Sequence, residues 1–394
     1  MSSRPSASLG SGARATADRV GEAQRQVESN AGDDLAIARA VPALRGALAR
    51  AQLTRLPTRV HRLAQLGASV GADDLWIKRD DESGELYGGN KPRKLEFLLG
   101  EARARGKHSV ITSGGIGTHH GLATAICARS LGLRTILLLL KQPVTEHVRR
   151  CLLLDYAAGA EMHYGAGIPG LAARGVGVCV RELLRGELPY IIPTGGTSAL
   201  GTVGYVNAAF ELREQIAAGE VPEPDWIFVP MGSGGTVAGL VLGAALAGLR
   251  ARVVAVLVSD IFPPSATQLA RLATRTLRLL QRRAASLPAI TVSPDAFRIV
   301  REYVGPGYGA PTAAGCSARD AAETLEGIHL ETTYTAKCLA AVLDAVRSGA
   351  YGGRVLFWNT YSSVDVAAQL GPLPEFHCLP PPLHQFFTGP ALPA

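Results

Sequence analysis

The chain has 394 residues, of which 47% are hydrophobic, and this length and composition suit two α/β domains better than one compact core. Its formal charge of +7 comes mainly from scattered arginines, without basic runs interleaved with aromatic residues, so we expect no nucleic-acid partner. No apolar run reaches the roughly 20 residues that span a bilayer, and the six cysteines form no CxxC pair. We therefore expect a cytoplasmic protein without a membrane segment, with its cysteines reduced.

The order of the predicted elements indicates an α/β fold. Residues 1–40 are polar and weakly patterned, which indicates a flexible N-terminal extension or a loosely docked helix. From residue 41 onward, short β-branched or leucine-rich runs alternate with helical stretches, a pattern that builds parallel sheets covered by helices on both faces. The predicted strands are Leu75–Arg79, Ser109–Thr112, Thr135–Leu140, Ala160–His163, Tyr190–Ile192, Trp226–Pro230, Val253–Val258 and Val355–Trp358. The predicted helices include Arg93–Ala104, His120–Leu131, Thr202–Ala217 and Thr236–Ala247.

Three further segments have a distinctive composition. Gly165–Gly170 matches GxGxxG after a predicted strand, but Pro169 stands where a helix should begin, so we predict a loop and no dinucleotide site. Ser265–Ala284 is typical of an arginine-rich surface helix. The proline-rich tail after Leu370 is predicted to wrap over a domain.

A lysine directly follows a glycine pair in the segment Gly88–Pro92. The two glycines let the backbone turn tightly and approach a ligand closely. Lys91 stands just before a predicted helix, and Pro92 suits a first helical position because its missing N–H is not needed there. Lys94 lies one helical turn further on and is expected to point away from the position of Lys91. A partly desolvated lysine has a lowered pKa and attacks aldehydes as a free amine. The alternative is a polar loop with a solvated lysine.

Two other turns lie between a predicted strand and a predicted helix. Met231–Gly239 offers backbone N–H groups at a helix start together with hydroxyls, which predicts a phosphate cradle. The segment lacks the GK[ST] of a Walker motif. The alternative is a tight turn that needs glycine for its backbone conformation alone. Ser113–His120 offers N–H groups, a hydroxyl and two imidazoles to a carboxylate or a ring oxygen. We expect no metal, because His119 and His120 are adjacent and no third ligand follows at HxxxH or HExxH spacing.

Taken together, these segments resemble the pyridoxal-phosphate (PLP) dependent family that contains D-cysteine desulfhydrase and 1-aminocyclopropane-1-carboxylate deaminase. The resemblance runs from about Leu56 to Leu370. It is carried by the motifs Ile77–Asp81, Gly88–Phe97, Ser113–Ile116, Pro193–Tyr205, Gly232–Gly239 and Tyr334–Lys337. It implies a tryptophan-synthase-β-like α/β fold with a large PLP-binding domain (residues 41–92 and 206–394), a small domain (residues 93–205) and a homodimer.

The resemblance also implies roles for individual residues. Lys91 would carry PLP as a Schiff base, Tyr308 and Tyr334 would act beside the substrate, and Thr335 would lie opposite the pyridine nitrogen. The implied cofactor-binding residues are Asn90, Lys91, His119, Gly232, Ser233, Gly234, Gly235, Thr236 and Thr335. The implied substrate-binding residues are Thr118, His119, His120, Thr360 and Tyr361.

Four positions bear on the substrate. The deaminase branch has Glu at the Thr335 position and Leu at the Thr360 position, whereas the desulfhydrase branch has Thr at both, as this chain does. His119 replaces the usual Asn of the family, and Tyr361 replaces a Gly. We therefore predict β-elimination from D-cysteine or a related β-substituted amino acid, which gives an oxo-acid and ammonia. The alternatives are deamination of 1-aminocyclopropane-1-carboxylate, β-replacement or racemisation on the same scaffold, or a non-catalytic PLP-binding homologue.

Overall fold

The structure, a computed structural model, describes residues 35–261 and 263–392. Within them, the strands are β1 Val60–Arg62, β2 Leu75–Arg79, β3 Ser109–Gly115, β4 Arg134–Leu140, β5 Glu161–Gly165, β6 Tyr190–Ile191, β7 Trp226–Met231, β8 Arg252–Leu257, β9 Arg298–Val300 and β10 Val355–Asn359. The α-helices are α1 Ala36–Ala40, α2 Ala64–Ser69, α3 Asn90–Ala104, α4 His119–Ser130, α5 Glu146–Ala157, α6 Gly167–Leu184, α7 Ala199–Ala217, α8 Gly235–Ala247, α9 Ala266–Gln281, α10 Ala313–Glu326, α11 Thr335–Arg347 and α12 Val366–Leu370.

The strands form two sheets, which confirms the predicted parallel-rich α/β fold. The larger sheet has the order β1-β2-β10-β7-β8-β9, and the smaller one has the order β5-β4-β3-β6. Apart from the antiparallel pair β1–β2, the neighbours in both sheets are parallel. All eight predicted strands form. The two additional strands, β1 and β9, are three-residue edge strands, too short for a period-2 pattern to reveal.

The two sheets divide along the chain. The strands of the smaller sheet all fall within the predicted small domain of residues 93–205, and those of the larger sheet fall outside it. The exact domain boundaries stay a prediction. At the N-terminal end, α1 is docked, since Ile37 is buried and its N–H donates to Asn207 Oδ1 at 3.1 Å. The rest of the predicted extension, residues 1–34, lies outside the described residues.

Two helix starts change the interpretation of predicted motifs. The helix α3 begins at Asn90, so Lys91 lies in its first turn and not before it. The prediction of a loop at Gly165–Gly170 is wrong, because α6 begins at Gly167. Pro169 is compatible with that start, because N–H groups in a first helical turn have no intrahelical acceptor.

Predictions for the surface helix and the tail are confirmed. On α9, Leu269, Leu272 and Leu280 are buried while its arginines point outward. The tail after Leu370 packs back onto the molecule through buried Leu383 and Phe386. The Arg149 guanidinium of α5 donates to the Phe386 carbonyl at 2.9 Å, which ties the tail to that helix.

A buried charge network fixes α3 against the larger sheet. The Arg93 guanidinium contacts Asp80 at 2.7 Å and Glu211 at 2.9 Å, and all three side chains are buried. The indole of Trp358, on β10, donates to Asp80 at 2.7 Å. Lys78 on β2 contacts Glu211 at 2.6 Å. Because these groups satisfy one another, the first turn of α3 is held in a defined place beside the ends of β2 and β10.

Candidate active site

A cavity of about 590 Å³ opens at the carboxyl ends of β3, β4, β7 and β10, between the two sheets. Parallel α/β sheets bind ligands at this edge. Of the residues predicted for the site, the cavity lining includes Asn90, Lys91, Thr118, His119, His120, Gly232, Ser233, Gly234, Thr236, Tyr308, Tyr334, Thr335, Thr360 and Tyr361. Gly235 begins α8 directly behind that lining. The structure therefore gathers segments that are up to about 270 residues apart in the chain.

The turn before Lys91 requires its two glycines. A Cβ on Gly88 would lie 1.9 Å from the Asp81 carbonyl oxygen, and one on Gly89 would lie 2.5 Å from the Thr360 carbonyl oxygen. Gly89 also has a φ of 80°, which L-residues rarely adopt. The Asn90 N–H donates to the Thr360 carbonyl at 3.1 Å. The close approach of the two loops thus sets the position from which Lys91 enters the cavity.

The Lys91 amine is prepared for nucleophilic or base chemistry. Its Nζ donates to Asn90 Oδ1 at 2.6 Å. Burial lowers the pKa of Lys91 from 10.5 to about 8, an effect that the negative charge of Glu331 opposes. A lysine with this pKa has a substantial free-amine fraction near neutral pH, which is what carbonyl condensation and proton abstraction need.

The glycine-rich turn after β7 lies beside the lysine turn. Asn90 Nδ2 donates to Thr236 Oγ1 at 3.1 Å, which links the two turns directly. Gly234 has a φ of 85°, and a Cβ there would lie 2.4 Å from Leu269 Cδ2, so only glycine fits. The Ser233 and Thr197 hydroxyls are 2.6 Å apart on the same side. Hydroxyls and the free N–H groups at the start of α8 form a cradle for an anion.

Lys94 also faces this cradle, and the prediction that it points away from the Lys91 site is wrong. Its buried Nζ donates to the Gly195 carbonyl at 3.2 Å and lies 3.2 Å from where a Cβ on Gly235 would stand. Residues three apart on a helix share a face, so the spacing of Lys91 and Lys94 is the sequence signal that indicates a position for Lys94 in the same cavity. Burial and then the charge of Lys91 lower the pKa of Lys94 well below its usual value, and a bound anion would offset both.

Two tyrosines line the cavity near Lys91. The Tyr334 hydroxyl donates to the Tyr308 hydroxyl at 3.0 Å, and the Tyr334 ring centroid lies 6.0 Å from Lys91 Nζ. The Tyr308 N–H donates to Asp260 Oδ1 at 2.9 Å, which holds its loop. Burial raises the pKa of Tyr334 well above its usual value. Both phenols therefore stay protonated and can act as hydrogen-bond donors in the cavity.

Glu331 is a cavity residue that the sequence reasoning missed. Its carboxylate accepts from the backbone N–H groups of Thr333 at 2.7 Å, Tyr334 at 2.7 Å and Thr335 at 2.8 Å, and so caps the start of α11. The Thr335 hydroxyl donates to the same carboxylate at 3.3 Å. A Glu four residues before a helical Thr resembles a helix cap, but only the fold places it beside Lys91.

In the segment Ser113–His120, the two adjacent histidines contact different groups. His120 is buried, with Nε2 3.0 Å from Thr112 Oγ1. The Thr118 hydroxyl caps α4 by accepting from the Gly121 N–H at 3.3 Å. His119 contacts the Tyr361 ring edge-on, with centroids 5.3 Å apart. Adjacent histidines thus diverge as predicted, and the direct contacts of Thr118, His119 and His120 with a cofactor or substrate stay predictions.

The chain belongs to the pyridoxal-phosphate dependent enzyme family, whose pattern matches residues 51–360. It is 34% identical over 320 residues to D-cysteine desulfhydrase of Salmonella choleraesuis, covering 79% of this chain and 93% of the relative. It is 35% identical over 334 residues to nocardicin C-9' epimerase of Nocardia uniformis, covering 84% and 97%. A solved structure described as an ACC deaminase homologue superimposes with a TM-score of 0.70 at 31% identity, covering 82% of this chain and 95% of that one.

The comparisons agree with the chemistry of the cavity. The protein is a PLP-dependent enzyme of the 1-aminocyclopropane-1-carboxylate deaminase and D-cysteine desulfhydrase type, and its cofactor is PLP. The site residues fit that cofactor. The Lys91 amine, whose pKa is lowered, lies one helical turn before Lys94, which faces the cradle. The cradle offers N–H groups, hydroxyls and the Lys94 ammonium to a phosphate dianion. In the described residues, no helix is both long and apolar enough to cross a membrane.

Proposed function

We propose that the enzyme removes a β-substituent from a small amino acid, with D-cysteine or a close β-substituted relative as substrate, and releases an oxo-acid and ammonia. The observation that carries this proposal is a neutral hydroxyl, Thr335, in the same cavity lining as Lys91, together with Thr360 beside the lysine turn. A hydroxyl partner stabilises charge on a cofactor ring less than a carboxylate would, which suffices when the leaving group departs directly after the α-proton. The relationship to D-cysteine desulfhydrase supports the same choice.

In this proposal, the cofactor is held at two ends. Lys91 would hold the aldehyde end of PLP through its amine, and the cradle of Gly232–Thr236 with Lys94 would hold the phosphate. Thr335 would supply a hydroxyl to the ring. When bound, PLP supplies an electron sink for the negative charge that develops at the substrate α-carbon.

The proton transfers are assigned to side chains of the protein. The Lys91 amine takes the α-proton, and its pKa of about 8 suits a base that works near neutral pH. The Tyr308 and Tyr334 hydroxyls, 3.0 Å apart, donate a hydrogen bond or proton to the departing β-substituent. The substrate carboxylate binds beside the loop after β3, where Ser113, Gly114, Gly115 and Thr118 line the same cavity.

A second candidate function is inversion at the α-carbon. It is favoured by the 35% identity to an epimerase over 97% of that relative. Inversion uses the same abstraction by Lys91 but returns a proton to the opposite face of the carbon, and no β-substituent leaves. The two reactions separate by their products.

The test is a substrate screen on purified holoenzyme. D- and L-amino acids are assayed for oxo-acid and sulfide release, for the D/L ratio of recovered substrate, and for deuterium at the α-carbon in heavy water. Sulfide and pyruvate from D-cysteine support elimination. If the substrate is inverted with deuterium uptake and no oxo-acid forms, the enzyme is an epimerase. If oxo-acid forms from 1-aminocyclopropane-1-carboxylate in preference to D-cysteine, the interpretation of Thr335 and Thr360 is contradicted.

Lysine variants test the assignment of the base. Borohydride treatment of holoenzyme should fix the cofactor on Lys91, and Lys91→Ala should lose both that adduct and turnover. The matched control is Lys107→Ala. Lys107 pairs with Glu187 and does not line the cavity. A reduced adduct on another lysine would contradict the assignment.

We also propose a cytoplasmic homodimer. The helix α6 supports the dimer, because Val176, Val180 and Leu183 lie on one helical face and are 65%, 51% and 57% exposed in the single chain. Light scattering of the holoenzyme should give twice the chain mass, and Val180→Lys should shift it towards the monomer. A monomer at all concentrations would contradict the dimer.

A further inference from the structure

Three potential metal ligands converge beside the active site. His119 Nε2 and His147 Nε2 are 2.9 Å apart, and His147 Nε2 lies 3.5 Å from Cys151 Sγ. These nitrogen and sulfur atoms all lie within 4.8 Å of one another. Ligand atoms bound at about 2.0–2.3 Å to one tetrahedral ion are separated by about 3.3–3.8 Å, so small adjustments bring the three onto a common centre.

The two helices that carry the ligands explain the convergence. His147 and Cys151 are four residues apart on α5, so they share one face of that helix. His119 is the first residue of α4, which packs against α5. HxxxH or HExxH spacing does not reveal this arrangement, because one ligand is a cysteine and another comes from a different helix.

The cluster is open on one side. It lines a second cavity of about 320 Å³ that lies next to the first and shares His119 and Tyr361 with it. A bound ion would therefore have three protein ligands and one position that solvent or a small molecule can reach. This is the arrangement of zinc sites that keep an open coordination position.

The groups around the cluster are suited to orient it. The Tyr87 hydroxyl lies 3.0 Å from His119 Nδ1, which can then donate to it and leave Nε2 for a metal. Asp155 lies one helical turn beyond Cys151 on the same face of α5, and it is buried. Both of its side-chain oxygens lack a hydrogen-bond partner among the described residues. A nearby divalent cation would favour the ionised form of this carboxylate.

We propose that His119, His147 and Cys151 bind one zinc ion. Two imidazoles and a thiolate select a borderline-soft ion such as Zn²⁺, whereas Mg²⁺ and Ca²⁺ need oxygen ligands. On binding, the Cys151 thiol gives its proton to the buffer and its sulfur forms the bond to zinc. The fourth position faces the second cavity and takes water or a soft ligand such as a thiolate. This site shares His119 with the lining of the first cavity but uses no residue of the phosphate cradle, and it does not depend on which amino acid the enzyme uses.

The test is zinc binding to holoenzyme that has been stripped with a chelator and freed of unbound cofactor. After addition of zinc chloride and removal of the excess, elemental analysis should find about one zinc per chain. Zinc at 100 times its dissociation constant should lower the unfolding equilibrium constant about 100-fold. Cobalt in place of zinc should give the strong visible bands of a tetrahedral ion with a thiolate ligand, at wavelengths longer than the cofactor absorbs.

Matched variants decide whether these three residues are the ligands. Cys151→Ser and His147→Ala should each weaken zinc binding at least about tenfold and abolish the cobalt spectrum. Cys179→Ser and His108→Ala, which change a cysteine and an exposed histidine elsewhere, should retain both. If one of these ligand variants fails to fold, His147→Gln is tested in its place. The PLP content of His147→Gln then shows whether that variant is folded. Absence of stoichiometric zinc, or equal binding by Cys151→Ser, would overturn the site and leave a hydrogen-bonded chain of Tyr87, His119 and His147.

Discussion

The lowered pKa of Lys91 predicts a measurable reactivity. At pH 7 an amine with a pKa of about 8 is about 9% unprotonated, against about 0.03% for the usual value of 10.5, a ratio of about 300. Between pH 7 and pH 9 its free fraction should rise about tenfold and approach a plateau, whereas that of an ordinary lysine should rise about 100-fold. The two profiles therefore differ in shape as well as in size.

The assay is pulsed reductive methylation of the cofactor-free protein with a small neutral aldehyde, with label at Lys91 located by fragment-ion mass spectrometry. A neutral aldehyde is preferable to PLP, because a phosphate in the cradle would change the local charge. A rise near 100-fold from pH 7 to pH 9 at Lys91 would refute the reasoning that burial sets its reactivity.

A charge variant tests the sign of the effect. The negative charge of Glu331 raises the pKa of Lys91, in opposition to burial. Glu331→Gln should therefore shift the labelling profile to lower pH and increase labelling at pH 7. Glu302→Gln, which changes an exposed carboxylate, should leave the profile in place. A shift of the Glu331→Gln profile to higher pH would contradict the assigned contribution of that carboxylate.

Three other predictions follow from the cradle and the buried network. Ser233→Asp should lose PLP on dialysis, as followed by visible absorbance, while the cofactor-free protein melts nearly as before; full cofactor occupancy would mean that the phosphate binds elsewhere. Lys94→Met should weaken PLP binding about tenfold or more, the worth of a charge-assisted hydrogen bond, and unchanged affinity would remove Lys94 from the cradle. Arg93→Ala should cost about 3–5 kcal/mol in urea unfolding, because it removes the ion-pair partner of buried Asp80 and one of the two cationic partners of buried Glu211. The surface variant Arg105→Ala should cost about 0–1 kcal/mol, and equal costs would contradict the buried network.

Features that depend on local backbone chemistry could be predicted from the sequence. The glycines at Gly88, Gly89 and Gly234 are required where a Cβ would collide with another segment or where φ is positive, so the turns that carry the site could be found before any fold was known. The longer strands were predictable for a related reason. A buried parallel strand needs a continuous apolar run, and such runs stand out between polar turns.

Features that depend on tertiary position could not be found in the same way. The strands β1 and β9 exist because a neighbouring strand pairs with them, and three residues carry no period of their own. Glu331 looks like an ordinary helix cap until the fold places it near Lys91. Lys94 is a different case, because helical geometry alone places it on the same face of α3 as Lys91.

The two residues that depart from the resembled family pattern, His119 and Tyr361, are in direct contact. His119 and Tyr361 come from segments more than 240 residues apart, yet their rings meet edge-on with centroids 5.3 Å apart. The ring nitrogens of His119 lie 3.0 Å from the Tyr87 hydroxyl and 2.9 Å from His147, so its side chain is oriented by the protein before any substrate arrives. A smaller residue at 361 would remove one of the contacts that support the imidazole, and an Asn at 119 would remove the edge-on ring contact from the phenol. Because contacting residues are energetically coupled, we predict that substitutions at His119 and Tyr361 have non-additive effects on the substrate preference of this pocket, which a double-mutant cycle would measure.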